Sequence, residues 1–415
     1  MSASTDPSEV APAARLHTLD FVRGVAVMGI LLMNIQSFAM PEAAYSNPRA
    51  YGGWHGADLV TWWVEAVLVD GKMRGVFSWL FGASLLLVAE RAGATGESAA
   101  RVHYRRMAWL ALFGAAHLVL VWDGDVLFHY AVVGSVAFLF RHKSAHELIA
   151  AAALLIVVQI VVVLPVPIAL SDAVASVSAG HPNAVAVQDL PIWRDQFGVP
   201  SPTSINAALA LHHDGYSALV ASRAAEAIRL IAGTLASVGG ETLAYMLLGM
   251  AALKSGLLGG SWSRTAYRRG ALIGFGVSVP LMLLLTGWEW HSGFDLRAVA
   301  WSSLVWTAPI RPVMIAGWAC LLVPLMRGAA GERIAAAGRM AFSNYLGTSL
   351  LCAGLFDGVG LFGKFNRAEL LLIVVAIWAV MLLWSPWWLA RFRYGPLEWL
   401  WRSLARGRLQ PMRVT

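Results

Sequence analysis

The sequence predicts an all-α fold, a polytopic membrane helical bundle of about ten transmembrane helices. Three observations lead there. Of the 415 residues, 58% are apolar and only 13% charged, too few charges to coat a soluble globule of this length. The apolar residues fall in blocks of about 15 to 25, the length that crosses roughly 30 Å of hydrocarbon. Those blocks are apolar on every face, whereas a β-barrel would show segments of about ten residues alternating in polarity. The same composition excludes disorder, a coiled coil and a secreted disulfide scaffold. Cys320 and Cys352, the only cysteines, sit inside apolar blocks, so neither a disulfide framework nor a thiolate metal site is expected. A net charge of +7 does not point to nucleic acid, because Lys and Arg are spread between the blocks and not gathered with aromatics in one patch.

Residues 1–14 are small, polar and Pro-containing and lack the basic segment and apolar core of a signal peptide. They read as a disordered cytoplasmic tail before a retained first helix. From 15 to 392 the chain reads as a single transmembrane domain, with helices expected at 16–38, 76–89, 107–121, 126–140, 148–170, 228–253, 271–285, 298–325, 335–356 and 370–389. Every second connection is basic: Arg91, Arg101, Arg105 and Arg106; Arg141 and Lys143; Lys254, Arg264, Arg268 and Arg269; Arg327, Arg333 and Arg339. A basic tail, 393–415, adds Arg402, Arg406 and Arg408. By the positive-inside rule these segments, and both termini, lie in the cytoplasm. The alternate connections hold Glu42, Asp58, Asp123, Asp125, Glu289, Asp295 and Asp357 and face outward. Trp62, Trp63, Trp122, Trp288, Trp290, Trp384, Trp387 and Trp388 fall near helix ends, as an interfacial belt does. One outer connection, about 171–228, is long and carries an amphipathic stretch, 205–225, that lies on the outer surface or over a cavity mouth. A second amphipathic piece, 57–69, precedes the second span.

Function is to be sought among polar residues that cost several kcal/mol to desolvate and are present at membrane depth anyway. Asp20 and Arg23 lie three residues apart on one face at the cytoplasmic end of the first span, with Arg15 before them and Asn34 about three turns deeper. The pair reads either as an intrahelical ion pair or, with Arg15, as a receiver for an anionic group such as a nucleotide phosphate. His117 lies inside the third span, and Asp123 and Asp125 form the turn into the fourth. Asp-Gly-Asp is an ordinary turn former. A histidine below two carboxylates is also what a general base needs, because the carboxylate holds one tautomer and raises its basicity. Lys72 and Arg74 open the second span, where snorkelling to the interface is the alternative reading. Glu241 and Arg311 read as a structural pair or as groups facing a wet cavity, Arg311 lying between Pro309 and Pro312. Asn344, beside Tyr345, reads as a substrate contact or as a bridge between helices. His212, His213 and Asp214 lack a second ligand pair, so no metal site is expected.

In order along the chain, RLHTLDFVRGVAVMGILLMN, AAYSNPRAYGG, GKMRGVFSWLFGASL, FGAAHLVLVWDGDVLFHYAVVG, GRMAFSNYL and FRYGPLEWLWRSL resemble the YeiB-like family of bacterial inner-membrane proteins over nearly the whole chain. The opening segment is also similar to the first helix of transmembrane acyltransferases, such as heparan-α-glucosaminide N-acetyltransferases and bacterial sugar O-acyltransferases. That second resemblance rests on Arg15, Asp20, Arg23, Gly24 and Asn34. It implies a multi-pass protein of the bacterial inner membrane that moves an acyl group from cytoplasmic acyl-CoA, acetyl-CoA in the first instance, to a small-molecule or glycan acceptor. It implies CoA phosphates on Arg15 and Arg23 beside Asp20, with His117, oriented by Asp123 or Asp125, as base and Asn34 or Asn344 donating to the oxyanion. The sugar O-acyltransferases place their histidine near where this chain has Asn34. His55, in GGWHGADLV, resembles the outer-loop histidine of the glucosaminide enzymes. Lys72, Arg74, Glu241, Arg311 and Asn344 are then expected at the substrate. The bilayer is the expected partner and nucleic acid is not; a homodimer is compatible with this reading. The alternative is a secondary transporter of a small solute, with Asp20, Glu241 and the Asp123/Asp125 turn along its pathway.

Overall fold

The computed structural model describes the backbone of residues 7–414 and the side chains from 17 to 414. The expected tail over 1–14 and the Arg15 side chain lie outside the described side chains. The helices run α1 (Pro7–Ala39), α2 (Ala43–Ser46), α3 (Gly56–Val64), α4 (Lys72–Ala94), α5 (Ala99–Leu120), α6 (Leu127–Ala137), α7 (Ala145–Val163) and α8 (Pro165–Ser178). Three short helices follow, α9 (Ala184–Gln188), α10 (Leu190–Phe197) and α11 (Pro202–His213). The second half has α12 (Tyr216–Lys254), α13 (Arg264–His291), α14 (Leu296–Trp301), α15 (Arg311–Leu322), α16 (Gly328–Arg339), α17 (Ala341–Ala353), α18 (Arg367–Leu389) and α19 (Pro396–Arg406). Among the described residues the only β pairing is one antiparallel bridge, Phe392 to Arg413.

All ten expected apolar blocks are largely helical, those at 148–170 and 298–325 being interrupted at Leu164 and at 307–310, but they do not make ten candidate spans. Six helical stretches are long and apolar enough to cross a bilayer, and a bent pair, Leu296–Trp306 with Arg311–Leu325, makes a seventh if it is one span, with a 61° break. The other blocks, in α5, α6 and α17, are shorter or more polar. Two further boundaries differ from expectation. The block at 335–356 is interrupted at Met340, between α16 and α17. The amphipathic stretch at 205–225 is two helices, because Gly215 takes a left-handed φ of 98° and lets the chain turn from α11 into α12. α12 thus starts at Tyr216, well before the apolar run near residue 228, and carries Arg223 to Asp357 in the interior.

Without a hydrophobic force between helices in lipid, close backbone approach must hold the bundle, and small residues allow it. At the α4–α12 crossing, a Cβ on Gly82 would strike the Met246 carbonyl, and one on Gly249 the Trp79 carbonyl. The α1–α16 crossing is built alike, with Gly24 against the Ile334 carbonyl and Gly338 against that of Asp20. Reciprocal glycines therefore set both contacts. Helix ends are fixed by local hydrogen bonds: Ser144 with Glu147 and Asn366 with Glu369 form capping boxes on α7 and α18. Glu398 of α19 accepts from Phe342 N at 2.7 Å and Ser343 N at 3.0 Å, closing the start of α17.

Gly249→Leu should prevent α4 and α12 from packing and cost more than the about 1–3 kcal/mol of ordinary core overpacking, since backbone and not a side chain must yield. Gly347→Leu, where a Cβ meets nothing within 4 Å, should be tolerated. Size-exclusion profiles of the detergent-extracted proteins test this; a normal monodisperse peak for Gly249→Leu would refute the crossing.

Candidate functional site

The faces of α1 and α4 turned away from these crossings carry matched stripes. In steps of three and four residues, α1 presents Asp20, Arg23, Val27, Ile30, Asn34 and Ser37, and α4 presents Arg74, Phe77, Phe81, Ser84, Val88 and Arg91. All of them line one cavity of about 1770 Å³. From Asp20 to Ser37 the helix rises about 25 Å, most of the hydrocarbon thickness. The polar groups of the first span therefore share a continuous chamber.

One end is rich in arginine. Arg23 donates to Asp20 at 2.5 Å and to Ser84 at 3.0 Å, so the expected intrahelical pair forms and leaves the guanidinium on the chamber wall. Arg91, Arg106, Arg339, Arg393, Arg402 and Arg406 line the same end, against the carboxylates Asp20, Glu97 and Glu398. The amphipathic helix α19 forms its floor. Arg106 lies over the Trp401 ring at 4.1 Å, and Arg402 over Tyr394 at 4.5 Å. Burial, opposed by Tyr394 and Glu398, pushes the Arg402 guanidinium below its ordinary value. An anion arriving there would relieve that cost.

Halfway along, Glu241 is shared by two arginines: Arg74 at 2.7 Å and Arg311 at 3.1 Å. Tyr245 donates to the same carboxylate at 2.6 Å, and Arg74 also donates to Thr242 at 2.9 Å. The expected Glu241–Arg311 pair is real and gains Arg74, whose snorkelling is ruled out. Arg74 has a side chain 23% exposed, to the chamber, while Glu241 is 4% exposed. Lys72 is turned away from the chamber, fully buried, and donates to the Ala66 carbonyl at 2.6 Å. It serves the π-helical turn at Glu65–Val69 and not a substrate.

The His117 dyad exists, but off the chamber. His117 Nδ1 lies 2.8 Å from Asp125 Oδ1, and Asp125 Oδ2 accepts from Phe128 N at 2.8 Å, so the carboxylate also caps α6. Both side chains are fully enclosed, and the wall in front of them is made by Trp122 and Tyr345, whose rings are 6.3 and 5.5 Å from the imidazole. Asp123, unlike Asp125, lines the chamber. Asn344 is withdrawn too: it donates to the Ala337 carbonyl at 2.9 Å and to Ser385 at 3.1 Å and accepts from Trp384 at 2.8 Å. It is a bridge between α16, α17 and α18. His55 is exposed at the start of α3, tilted over Trp54 and outside the chamber. Asn34 is on the wall, half-buried, its amide without a partner among the described residues.

Sequence reasoning missed a second dyad. At the end opposite the arginines, His212 of α11 places Nδ1 2.7 Å from Asp357, and Arg223 approaches the other carboxylate oxygen at 3.3 Å. The imidazole stacks on Phe362 with centroids 3.6 Å apart and planes 2° from parallel. His212, Asp357 and Arg223 all line the chamber, and the other ring nitrogen of His212 has no partner among the described residues. Both residues stood out only as polar groups on outward connections, 145 positions apart. Among the described residues no three His, Cys, Asp or Glu side chains converge as metal ligands.

Residues 252–408 match the family described as "Protein of unknown function (DUF418)". The chain is 34% identical over 396 residues to the uncharacterized protein YeiB of Escherichia coli (strain K12), covering 93% of this chain and 95% of that protein. It is 29% identical to the uncharacterized protein YxaH of Bacillus subtilis (strain 168), over 96% of each. No solved structure matches it.

Glu241→Ala should leave Arg74 and Arg311 without a counter-charge and cost about 3–5 kcal/mol. Glu241→Leu combined with Arg311→Leu should lose less, because one arginine, Arg74, and not two is then left without its carboxylate. Thermal unfolding in detergent checks this, and equal midpoints for wild type and Glu241→Ala would contradict the network.

Proposed function

The chain belongs to the YeiB-like family, and from the chamber we propose that it is a membrane acyltransferase. In this reading it moves an acyl group, acetyl in the simplest case, from cytoplasmic acyl-CoA to a hydroxyl or amine of an envelope or glycan acceptor. One observation carries the proposal: a single cavity has an arginine-lined end and, at the other end, a His–Asp pair with a free ring nitrogen. In this reading the arginine end, beside the basic connections, faces the cytoplasm across a bacterial inner membrane.

Arg23, Arg91, Arg402 and Arg406 would hold the phosphates of the donor, where bidentate guanidinium contacts suit them. The acyl-pantetheine arm then extends along the α1 stripe. Asn34 stands 11 residues beyond Arg23, about 16 Å along the helix, and its unpaired amide is placed to donate to the thioester oxygen as it gains charge. Gly363 donates to the Ala39 carbonyl at 2.8 Å, which brings the neighbouring Phe362, and His212 stacked upon it, to the last turn of α1. His212 therefore stands roughly 8 Å beyond Asn34 along the axis. The acceptor O–H or N–H loses its proton to the free nitrogen of His212 as its lone pair forms a bond to the thioester carbon. The tetrahedral intermediate collapses, the C–S bond breaks, and the leaving CoA thiolate takes a proton back from the imidazolium. Asp357 holds the tautomer and stabilises the cation. The base assignment thus moves from His117, enclosed behind Trp122 and Tyr345, to His212.

The 61° break at Arg311 favours one other reading, secondary transport by rocking about a broken helix. Purified protein in liposomes, given radiolabelled acetyl-CoA on the arginine side and membrane extract as acceptor, separates the two. His212→Ala should lower transfer by about two to four orders of magnitude while CoA still binds. Undiminished transfer by that variant defeats the base assignment. Uptake of a solute with no label transferred would favour transport.

A further inference from the structure

The chamber has a second opening, in its side wall, and its construction names the acceptor class. α7 and α12 start together: Lys254, at the end of α12, donates to the carbonyls of Arg141 and Lys143 just before α7, at 3.0 and 2.6 Å. They stay packed up to buried Gln159. Its amide donates to the Ala236 and Ser237 carbonyls at 2.9 and 2.8 Å and accepts from Gly240 N at 2.8 Å. Val162 of α7 and Gly233 and Ser237 of α12 all line the chamber, yet all are exposed, Val162 by 54%. Lining residues this exposed, with open space where a Cβ on Gly233 would stand, place an edge of the chamber between the two helices.

The depth of the slot follows from helix rise. Val162 is 17 residues from Ala145, and Ser237 17 residues from Lys254, so both lips stand about 25 Å from the basic face, in the far half of the hydrocarbon. The slot thus opens to lipid. At this depth the outer face of α7 is apolar, with Val161 61% and Val158 46% exposed, whereas Thr234, Ser237 and Glu241 on the chamber wall are polar; the exposed Glu226–Arg229 pair of α12 lies farther out, past the hydrocarbon. Water-soluble molecules have no route through lipid to such an opening.

Building on the acyltransferase reading, we propose that the acceptor is a membrane-anchored amphiphile, whose chains stay in the outer leaflet while its hydroxyl- or amine-bearing head enters the chamber between α7 and α12. The bond formed is an ester or amide on that head, at the expense of the donor C–S bond, and the free thiol leaves by the arginine end. The long outer connection covers the other mouth and plays no part in admitting the acceptor.

Two measurements test this. In the first, Ser237→Cys carries an environment-sensitive fluorophore in vesicles of phosphatidylethanolamine and phosphatidylglycerol, with and without bromine on the phosphatidylglycerol chains. Quenching by the brominated chains is expected, and its absence overturns the slot whether or not any activity is found. In the second, membranes receive radiolabelled acetyl-CoA and are partitioned between organic and aqueous phases. Label should enter the organic phase, and Gly233→Trp should abolish it without weakening CoA binding; a Cβ at Gly233 meets nothing within 4 Å, so the helix accepts the ring. Label confined to the aqueous phase, or organic label unaffected by Gly233→Trp, overturns the proposal. Quenching with no label in any fraction defeats the transferase reading and leaves lipid entry standing.

Discussion

The cost of taking a charge out of water governs this molecule. A carboxylate or guanidinium at bilayer depth is stable only if paired or beside water, and the chain meets that demand in two ways. Lys72, fully buried and off the chamber, is closed off by the Ala66 carbonyl at 2.6 Å and serves the helix start it stands in. Arg74, Glu241 and Arg311 are paired as well, but on the surface of a chamber. The difference between structural and functional charge is therefore positional. It depends on whether a helix face looks into a neighbour or into the void left between α1 and α4 by the glycine crossings behind them.

The two His–Asp pairs make the same point more sharply. His117 and Asp125 have good hydrogen-bond geometry and no access; His212 and Asp357 have similar geometry at the chamber wall. In the first pair the carboxylate's second oxygen caps α6, so the dyad is bound into a helix start. In the second it meets Arg223, and the imidazole rests on an aromatic face with its other nitrogen unpaired among the described residues. An ionised partner and an accessible nitrogen are what base chemistry requires.

What was legible in the sequence follows from the range of each interaction. The helices were, because their signal is local apolar length. The chamber stripe was partly so: Asp20, Arg23 and Asn34 were recognised at one face by their spacing alone. The His117–Asp125 pairing was visible because only eight positions separate the residues. The His212–Asp357 pairing was not, since 145 positions of chain and the packing of Phe362 at the end of α1 bring it about. Asn344 could be read as bridge or ligand until its partners on α16 and α18 were known. Arginine 402 and 406 were read as topology markers, and only the return of α19 under α5 and α17 turns them into a wall.

Volume bears on the choice between transfer and transport. Pockets that enclose one small molecule commonly measure about 300–1,000 Å³, and this chamber, at about 1770 Å³, is larger. A transporter gains nothing from such excess, since loose binding gives no selectivity. A transferase must hold two substrates at once, and it gains rate by fixing each with groups remote from the reacting atoms. Under the transferase proposal the arginine end and the His–Asp end, separated by most of the bilayer thickness, would hold the donor's anionic part and the acceptor, and the stretch between, where Phe77 and Phe81 stand beside the mutually paired Arg74, Glu241 and Arg311, would take the thin arm that joins them.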